Sequence, residues 1–336
     1  MVCRNALISS HKFFLKMDPI IIKQKSYAGF KPPAKIEDVF IWRLQIILTT
    51  NTKSDSDTDS GVYVQFATGE KNKFWLDRAI NDREKGMTTA YDVVMSKIRK
   101  VSDLKFLSLG IAGWDGWNIK TIKLVINNDF TIFEKSYGTA GIWLEKEGNK
   151  KHVLTIPSAE LRNHSKWKPS PQQLLVMSLP PFVIPREMLE SVIECRMGHE
   201  IENNNKYPSE PKMKQLYWGK ISGRPVEVKR KSANTLSVDL DLAADVSWLP
   251  DPSVDVDFDI KLGCKDKRIS AEIANVKANV DSLLFDVVNF LVPFGDVIKT
   301  SFNFNLAFSA GINIPTKCPK FEVDANGNIK ILEYYI

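Results

Sequence analysis

Hydrophobic and polar residues alternate strictly along two stretches in the second half of the chain, residues 236–242 and 254–262. A period of two residues is typical of antiparallel strands that have one buried face and one face in water. Residues 269–276 continue the pattern and predict a third strand. The second half is therefore expected to contain a sheet of long antiparallel strands.

Helical periodicity flanks these strands. Apolar residues share one face over residues 186–196, directly after Pro185, a residue favoured where helices start. The same period returns over 279–299, which predicts an amphipathic helix, and Asn-Gly in the hairpin over 321–331 is typical of a type I′ turn. The second half is thus predicted to be an α+β domain. Its layout of one-faced strands around an apolar helix resembles the tubular lipid-binding proteins.

The first half alternates over shorter segments that are divided by glycine and aspartate turns. The segments that predict strands are residues 40–48, 62–67, 73–76, 101–109, 121–127 and 130–144. Short strands at this spacing are typical of an antiparallel β-sandwich. The sandwich is expected to end near residue 145, where lysines and prolines become frequent.

The length of the chain, 336 residues and 38.1 kDa, favours two domains over one. We divide it into an N-terminal arm, a β-sandwich, a linker and an α+β domain, over residues 1–38, 39–145, 146–181 and 182–336. The predicted fold class is therefore mostly β, with an antiparallel sandwich followed by an α+β domain of long amphipathic strands and helices.

Three segments of the first half follow one another in a specific order. They are Thr-Asp-Ser-Gly at 58–61 leading into a strand, Asp-Arg-Glu-Lys-Gly at 82–86, and Gly-Trp-Asp-Gly-Trp at 113–117. In this order they resemble the PLAT family, a β-sandwich found beside lipases, lipoxygenases and membrane proteins, although the family's usual Gly-Thr is replaced at 58–61. The resemblance covers under a third of the chain. It implies a binding module with Trp117 in its core.

Charge and apolar runs exclude several classes of protein. The chain has 46 basic and 40 acidic residues, a net charge of +6, which is too small and too dispersed for a nucleic-acid-binding protein. No run reaches the roughly 18 apolar residues of a membrane span, so a transmembrane protein is not expected. Arg4, His11 and Lys12 interrupt the N-terminus, which makes a poor signal peptide. We expect a cytoplasmic or peripheral membrane location.

The four cysteines are far apart and form no Cys-x-x-Cys motif, so their spacing does not indicate a metal site. Free, buried thiols are the interpretation we favour. A single bridge between Cys264 and Cys318 is the alternative.

The sequence lacks the motifs of common catalytic sites. It has no Gly-x-Ser-x-Gly elbow, no Walker loop and no dinucleotide fingerprint. The histidines, at positions 11, 152, 164 and 199, have no neighbours that indicate a zinc site or a catalytic triad. We therefore expect that the protein is not an enzyme. An unrecognised hydrolase is the third function we consider, after a docking module and a protein–protein interaction scaffold.

A carboxylate-rich loop is the candidate metal site. Asp55, Asp57 and Asp59 offer oxygen ligands at alternate positions, as Ca²⁺ prefers, although the loop lacks the glutamate of an EF-hand. The family resemblance implies that Asp82 and Glu84 approach the same end of the sandwich. The other interpretation is that these residues only solvate a long hairpin loop. No cofactor is required by the sequence.

Two tryptophans and one aspartate are candidates for binding. Trp114 is flanked by Gly113 and Asp115 and is expected at a loop tip, where an exposed indole suits a bilayer interface. Trp75, in a short aromatic segment, is a candidate for the same role. The alternative for both tryptophans is that they pack against neighbouring residues of this protein. Trp75, Trp114 and Asp115 are therefore predicted to contact a lipid or a partner.

Together these patterns predict a non-catalytic module that docks on lipid, on a membrane surface or on a partner protein. The second domain would bind lipid if its long strands enclose a cavity. The alternative is a protein–protein interaction scaffold in which neither domain contacts lipid.

Overall fold

The computed structural model describes residues 33–69, 72–79, 82–95, 98–113, 115–127, 129–145, 152–179, 181–203, 213–219, 225–246, 253–265, 268–280 and 318–333. Within these residues the fold is mostly β, as predicted, with antiparallel sheets and a few helices. Residues 1–32 of the predicted arm, Trp114 and residues 281–299 of the helix predicted over 279–299 lie outside the described residues, whereas residues 279 and 280 belong to a strand. No helix in the described part of the chain is long and apolar enough to cross a bilayer.

The first half folds as the predicted sandwich. Its strands are β1 Leu44–Thr50, β2 Val62–Gln65, β3 Lys73–Trp75, β4 Thr88–Asp92, β5 Phe106–Ile111, β6 Trp117–Ile126, β7 Phe130–Ser136, β8 Ile142–Leu144 and β9 Val153–Pro157. One sheet has the order β4-β1-β6-β7, with β8 also paired to β6, and the other has the order β3-β2-β5-β9. The inward-facing side chains of both sheets form one apolar core.

Trp117 lies in this core, as the family resemblance implies. Its side chain is buried, and its indole Nε1 donates a hydrogen bond to Thr50 Oγ1 at 3.0 Å. A buried indole needs such an acceptor because an unpaired N–H would lose its contact with water. The indole thereby ties the start of β6 to the end of β1.

The linker predicted over 146–181 is wrong for its described part. Residues 153–157 form β9, which pairs with β5, and two helices follow, α1 Ser158–Asn163 and α2 Pro171–Ser178. Apolar residues of all three elements lie in the sandwich core. The prolines were interpreted as linker residues, but Pro171 is the first residue of α2, where its missing N–H removes no helical hydrogen bond. Ser170 caps the same helix.

The second half contains the predicted long strands. Its elements are β10 Val183–Ile184, α3 Arg186–Asn203, β11 Met213–Trp218, β12 Val226–Ser232, β13 Thr235–Val246, β14 Ser253–Lys265, β15 Arg268–Val280, β16 Lys320–Val323 and β17 Ile329–Glu333. The large sheet has the order β11-β13-β14-β15, with β12 also paired to β13, and the small sheet has the order β10-β17-β16. The helix predicted over 186–196 is confirmed and is longer than expected.

The apolar side chains of the large sheet are covered in the described structure. Buried residues of β12, β13 and β14 form one cluster with residues of α3 and of the small sheet. The long alternating strands therefore bury their dry side against packed side chains.

The turn of the final hairpin differs from the predicted type I′ turn. A type I′ turn needs positive φ at both central residues, but only Gly327 has it, at +82°. Gly327 N donates to Asp324 O at 3.1 Å, and Asp324 N donates to Asn328 O at 2.9 Å. These bonds define a three-residue loop with glycine in the left-handed position.

Cys264 and Cys318 form a disulfide with a Cα–Cα distance of 6.0 Å. The expectation of free thiols is therefore wrong for this pair, because the fold brings together two cysteines that are 54 residues apart. Cys195, on α3, is free and buried.

Helix α3 contacts both halves of the molecule. Arg78, which follows β3, pairs with Glu194, and the hydroxyl of Ser191 accepts a bond from Asp92 N at 3.2 Å. On the other side, Val228 N donates to Glu190 Oε1 at 3.3 Å. Polar side chains of one helix therefore join the sandwich to the large sheet.

Candidate functional site

Three loops meet at one end of the sandwich and carry most of the predicted site residues. We call the described parts of residues 51–61, 82–87 and 112–116 the loop end. Gly86 N donates to Asn51 O at 3.0 Å, and Ala112 N donates to Gly61 O at 2.8 Å. The first loop is therefore hydrogen-bonded to both of the others.

Buried hydroxyls and exposed carboxylates alternate along the first loop. Ser56, Thr58 and Ser60 are buried, whereas the aspartate before each of them, at positions 55, 57 and 59, is exposed. Ser56 Oγ donates to Asn51 O at 2.7 Å, and Thr58 Oγ1 accepts from Ser60 N at 3.1 Å. The hydroxyls thus satisfy backbone groups inside the loop. The carboxylates are left in solvent as a row.

Asp115 lies beside this row. Its carboxylate Oδ2 accepts a hydrogen bond from Asp59 N at 3.0 Å, and its own N–H donates to Ser60 Oγ at 3.1 Å. A Cβ at Gly113 would lie 2.0 Å from Ser60 Oγ, so glycine is required for this close approach. The structure therefore brings Asp59 and Asp115 together, as the prediction of one shared loop end requires.

Asp82 occupies a different environment from the other predicted ligands. It is buried, and its Oδ1 lies 3.1 Å from a guanidinium nitrogen of Arg83, while Arg78 N donates to its Oδ2 at 3.1 Å. Burial raises the pKa of the Asp82 carboxyl, and the charge of Arg83 opposes that rise. Asp82 therefore serves the fold at the base of the loop end, where its oxygens are already engaged.

The predicted calcium ligands do not assemble into a centre. Asp55, Asp57, Asp59 and Glu84 are exposed, and Asp82 is turned inward. Among the described residues, no three side chains of histidine, cysteine, aspartate or glutamate stand together as a metal would need. Ca²⁺ takes roughly six to eight oxygen ligands, more than these described side chains bring together, and calcium binding at the loop end stays a prediction.

Trp75 lies away from a loop tip. It projects from the outer face of β3 and is half-buried, and its ring contacts the ring of Tyr63 edge-on at a centroid distance of 5.4 Å. Trp114 lies outside the described residues. The structure therefore gives Trp75 a packing partner on the sheet and leaves the prediction for Trp114 as it stands.

Three described residues carry groups that catalysis often uses, the imidazoles of His152 and His164 and the thiol of Cys195. His164 Nε2 lies 3.0 Å from the carbonyl oxygen of Glu134, and His152 is exposed. Burial raises the pKa of the Cys195 thiol far above its usual range, so the reactive thiolate is suppressed.

Sequence reasoning missed the residues that shape the loop end. Ser56, Thr58 and Ser60 looked like ordinary loop residues, and Arg83 looked like part of a solvated turn. The alternation of hydroxyl and carboxylate residues over 54–60 is a signal that could have revealed them, because it has the same period of two as a strand with two different faces.

No protein-family model and no curated protein sequence matches the chain. Solved structures that are similar to part of it include alpha toxin from Clostridium absonum, at 20% identity over 39% of this chain and 35% of the toxin, with a TM-score of 0.31. Coral 8R-lipoxygenase, described as calcium-activated through a C2-like domain, is similar at 17% identity over 34% of this chain and 16% of that chain, with a TM-score of 0.27.

A lipopolysaccharide binding protein is similar over a larger part, 63% of this chain and 53% of that chain, at 14% identity and a TM-score of 0.26. The chain spans about a third of the toxin and about a sixth of the lipoxygenase. At TM-scores this low the similarities carry no argument about function.

Proposed function

We propose that this chain is a non-catalytic docking protein that binds a lipid surface through the loop end of its sandwich. The observation that carries this proposal is the hydrogen-bonded loop end itself, in which the first loop is bonded to both of the others. Loops that are already ordered lose little conformational entropy when they dock. The adjacent sequence supplies Trp114, an amphipathic side chain of the kind that anchors proteins at bilayer interfaces.

The charge of the loop end sets the lipid preference. Exposed carboxylates at Asp55, Asp57, Asp59 and Asp115 are repelled by anionic lipids over about one Debye length, ~8 Å at physiological salt. Docking is therefore expected to favour zwitterionic membranes when no divalent cation is present. Calcium belongs to the proposal as a condition to be tested, since the described side chains form no preformed site.

Vesicle co-sedimentation tests the proposal. The wild-type chain is expected to pellet with phosphatidylcholine vesicles, and Trp114→Ala is expected to reduce the bound fraction severalfold because it removes the apolar anchor. Asp57→Asn with Asp59→Asn is expected to increase binding to phosphatidylserine vesicles without calcium, because less negative charge faces the lipid. Glu322→Gln, which removes an exposed carboxylate from β16, is the matched control and should change neither result.

Failure of the wild-type chain to pellet with either vesicle, with or without calcium, would contradict lipid docking. The alternative function is a protein–protein scaffold, and the same row of carboxylates favours it, because an acidic surface complements a basic partner. Cross-linking of the exposed loop carboxylates to a co-purified partner would then support the scaffold.

The described part of the second half offers no separate support for lipid carriage. The apolar residues of β13 and β14 are covered by α3 and by the small sheet. We therefore assign the docking role to the sandwich. The second half would support the sandwich, which contacts it through α3.

The disulfide bears on location. Disulfides persist in oxidising compartments and are rare in reducing ones. Because Cys264 and Cys318 are bridged, we propose that the protein works in an oxidising compartment rather than in the cytoplasm, which was one of the two locations expected from the sequence.

A further inference from the structure

The chain contains one Asn-x-Ser/Thr motif, Asn163-His164-Ser165, since no other asparagine of the sequence is followed two residues later by serine or threonine. This motif, with any residue except proline in the middle, is the acceptor sequence for N-linked oligosaccharides in secreted proteins. A folded protein accommodates an oligosaccharide only at its surface. The position of Asn163 therefore decides whether the motif is usable.

Asn163 is the last residue of α1 and lies at the surface of the sandwich. It is exposed, whereas Leu161, two residues earlier, is buried in the core. Two residues turn an α-helix by roughly 200°, which places Asn163 on the outer side of α1. His164 ends the helix with extended backbone, at a ψ of 138°, and Ser165 is exposed. The two residues whose side chains the motif requires are therefore both exposed.

Residues on both sides of the exposed asparagine fix this segment to the sandwich. Glu160 pairs with Lys135 of β7, and His164 Nε2 lies 3.0 Å from the carbonyl oxygen of Glu134 on the same strand. Trp167 is buried in the core. Because these neighbours hold the backbone in place, an oligosaccharide on the outer side of α1 requires no rearrangement of the fold.

Helix α1 begins at the end of the sandwich that lies away from the loop end. Strand β9 leads into α1 at Pro157, which pairs with Phe106 at the start of β5. Ala112, which follows the other end of β5, belongs to the loop end. A bulky substituent on Asn163 is therefore compatible with docking through the loop end.

The bridge between Cys264 and Cys318 is a second, independent observation that favours use of the motif. Disulfides persist in secreted proteins and in the lumen of the endoplasmic reticulum, and N-linked oligosaccharides are also carried by secreted proteins. One cellular route therefore accounts for both features. In this respect the inference rests on the oxidising compartment proposed above.

We infer that Asn163 is an N-glycosylation site. The donor is an oligosaccharide linked to a lipid diphosphate, and a membrane-bound transferase catalyses the reaction. A bond forms between Asn163 Nδ2 and the anomeric carbon of the first sugar, while the bond between that carbon and the lipid diphosphate breaks. The lipid diphosphate leaves with the electron pair of the broken bond, and the amide nitrogen gives up one proton. The transfer needs no oxidant and no reductant.

Gel mobility of the full chain, secreted from cultured animal cells behind a cleavable leader, tests this inference. Peptide-N-glycosidase, which removes N-linked oligosaccharides, is expected to increase the mobility of the wild type. Asn163→Gln should remove that shift completely, and so should Ser165→Ala, which keeps the asparagine but lacks the hydroxyl. Ser165→Thr should keep the shift. Asn326→Gln, at an exposed asparagine outside the motif, is the matched control and should also keep it. Surface substitutions change stability little, so secretion of these variants should match that of the wild type.

Thiol labelling of the same secreted chains tests the oxidising compartment separately. The leader delivers the chain to the transferase whatever its own cellular address, so the glycosylation result does not depend on the disulfide. Free thiols at Cys264 and Cys318 would remove the basis of the proposed compartment and leave the gel result as it stands.

Ala233→Asn reports whether the chain meets the transferase. It places a second motif, ending at Thr235, in the exposed turn between β12 and β13. A wild type whose mobility the glycosidase does not change would overturn the inference, and modification of Ala233→Asn in the same cells would assign that failure to Asn163 alone. A full shift that survives in Asn163→Gln or in Ser165→Ala would overturn it as well.

Discussion

Arg83 is the residue on which the second loop of the loop end depends. Its guanidinium lies 3.1 Å from Asp82 and donates to Leu76 O at 2.6 Å, and its own carbonyl accepts a bond from Thr50 Oγ1 at 3.2 Å. Both charged side chains are buried. Because a buried charge without a partner is strongly destabilising, the pair fixes the base of the loop at the level of single side chains.

Arg83→Met is expected to destabilise the fold by roughly 3–5 kcal/mol at neutral pH, because it leaves Asp82 buried without its partner. Burial already raises the pKa of Asp82, and loss of Arg83 raises it further. The deficit should therefore be smallest at acidic pH, where Asp82 is protonated, and grow as pH rises through that pKa. Urea unfolding across pH measures it. Lys85→Met at the exposed neighbour is the control, and an equal loss in both variants would contradict the role of the pair.

At this scale the sequence predicts apolar burial better than polar pairing. Trp117 was expected in the core and is there, because an indole at the start of an alternating strand has few other places to go. Asp82 was predicted as a metal ligand at one end of the sandwich, and the structure buries it beside Arg83. Its partner Arg83 is the next residue in the chain, but no local pattern of Asp-Arg-Glu reveals that both side chains are buried.

Among the strands, β13 and β14 carry an unusual cross-strand arrangement. Asp239 lies directly opposite Asp257, and Asp241 lies directly opposite Asp255. Like charges at opposed positions are destabilising. Burial and the charge of Asp257 both raise the pKa of Asp239, whereas burial and the charge of Asp255 raise that of Asp241. The wet face of this sheet thus stores electrostatic repulsion at neutral pH.

Asp257→Asn is expected to stabilise the protein by about 0.2–1 kcal/mol at neutral pH. A raised carboxyl pKa means that folding is favoured below the unfolded pKa and loses that contribution as pH rises through the folded pKa. The gain should therefore vanish as pH falls and Asp239 becomes protonated. Urea unfolding of the variant and wild type across pH checks this expectation.

Asp259→Asn, on the same strand, is the matched control with the opposite sign. Burial would raise the pKa of Asp259, but hydrogen bonds from Lys231 and Asn275 outweigh it and lower that pKa. The stability contributed by Asp259 is thus present above its unfolded pKa, and Asp259→Asn should destabilise at neutral pH. A loss of stability in Asp257→Asn would contradict the account of the opposed aspartates.

Strict alternation made β13, β14 and β15 predictable, because a period of two has one structural meaning when it runs this long. The elements from β9 to α2 were not predictable in the same way. Their apolar residues are few and lie among prolines. Their structure depends on tertiary contacts, since β9 pairs with β5 and apolar residues of β9, α1 and α2 pack in the sandwich core. The hairpin turn at Gly327 was assigned the wrong type because two turns share the Asn-Gly signal.

For the whole molecule, the disulfide joins two parts of the second half that are 54 residues apart in the chain. Cys264 near the end of β14 is joined to Cys318 just before β16. The bond restricts the unfolded chain across 54 residues, and such restriction favours the folded state. It also links the large sheet to the small one.

Replacing both cysteines by serine is expected to destabilise the fold by about 2–4 kcal/mol and to lower Tm. Reduction of the wild type should lower its Tm to a similar value, whereas the double variant should not respond to the reductant. Differential scanning calorimetry with and without dithiothreitol measures both. A wild-type Tm that does not change after verified reduction would contradict a stabilising role for the bridge.

Docking through the loop end is tested most directly by hydrogen–deuterium exchange of the full chain with and without phosphatidylcholine vesicles. Bound lipid is expected to slow exchange in peptides that cover residues 51–61, 82–87 and 112–116, and to leave β13 and β14 unchanged. Protection confined to the second half, or no protection when the chain is shown to be on the vesicles, would contradict docking through the loop end.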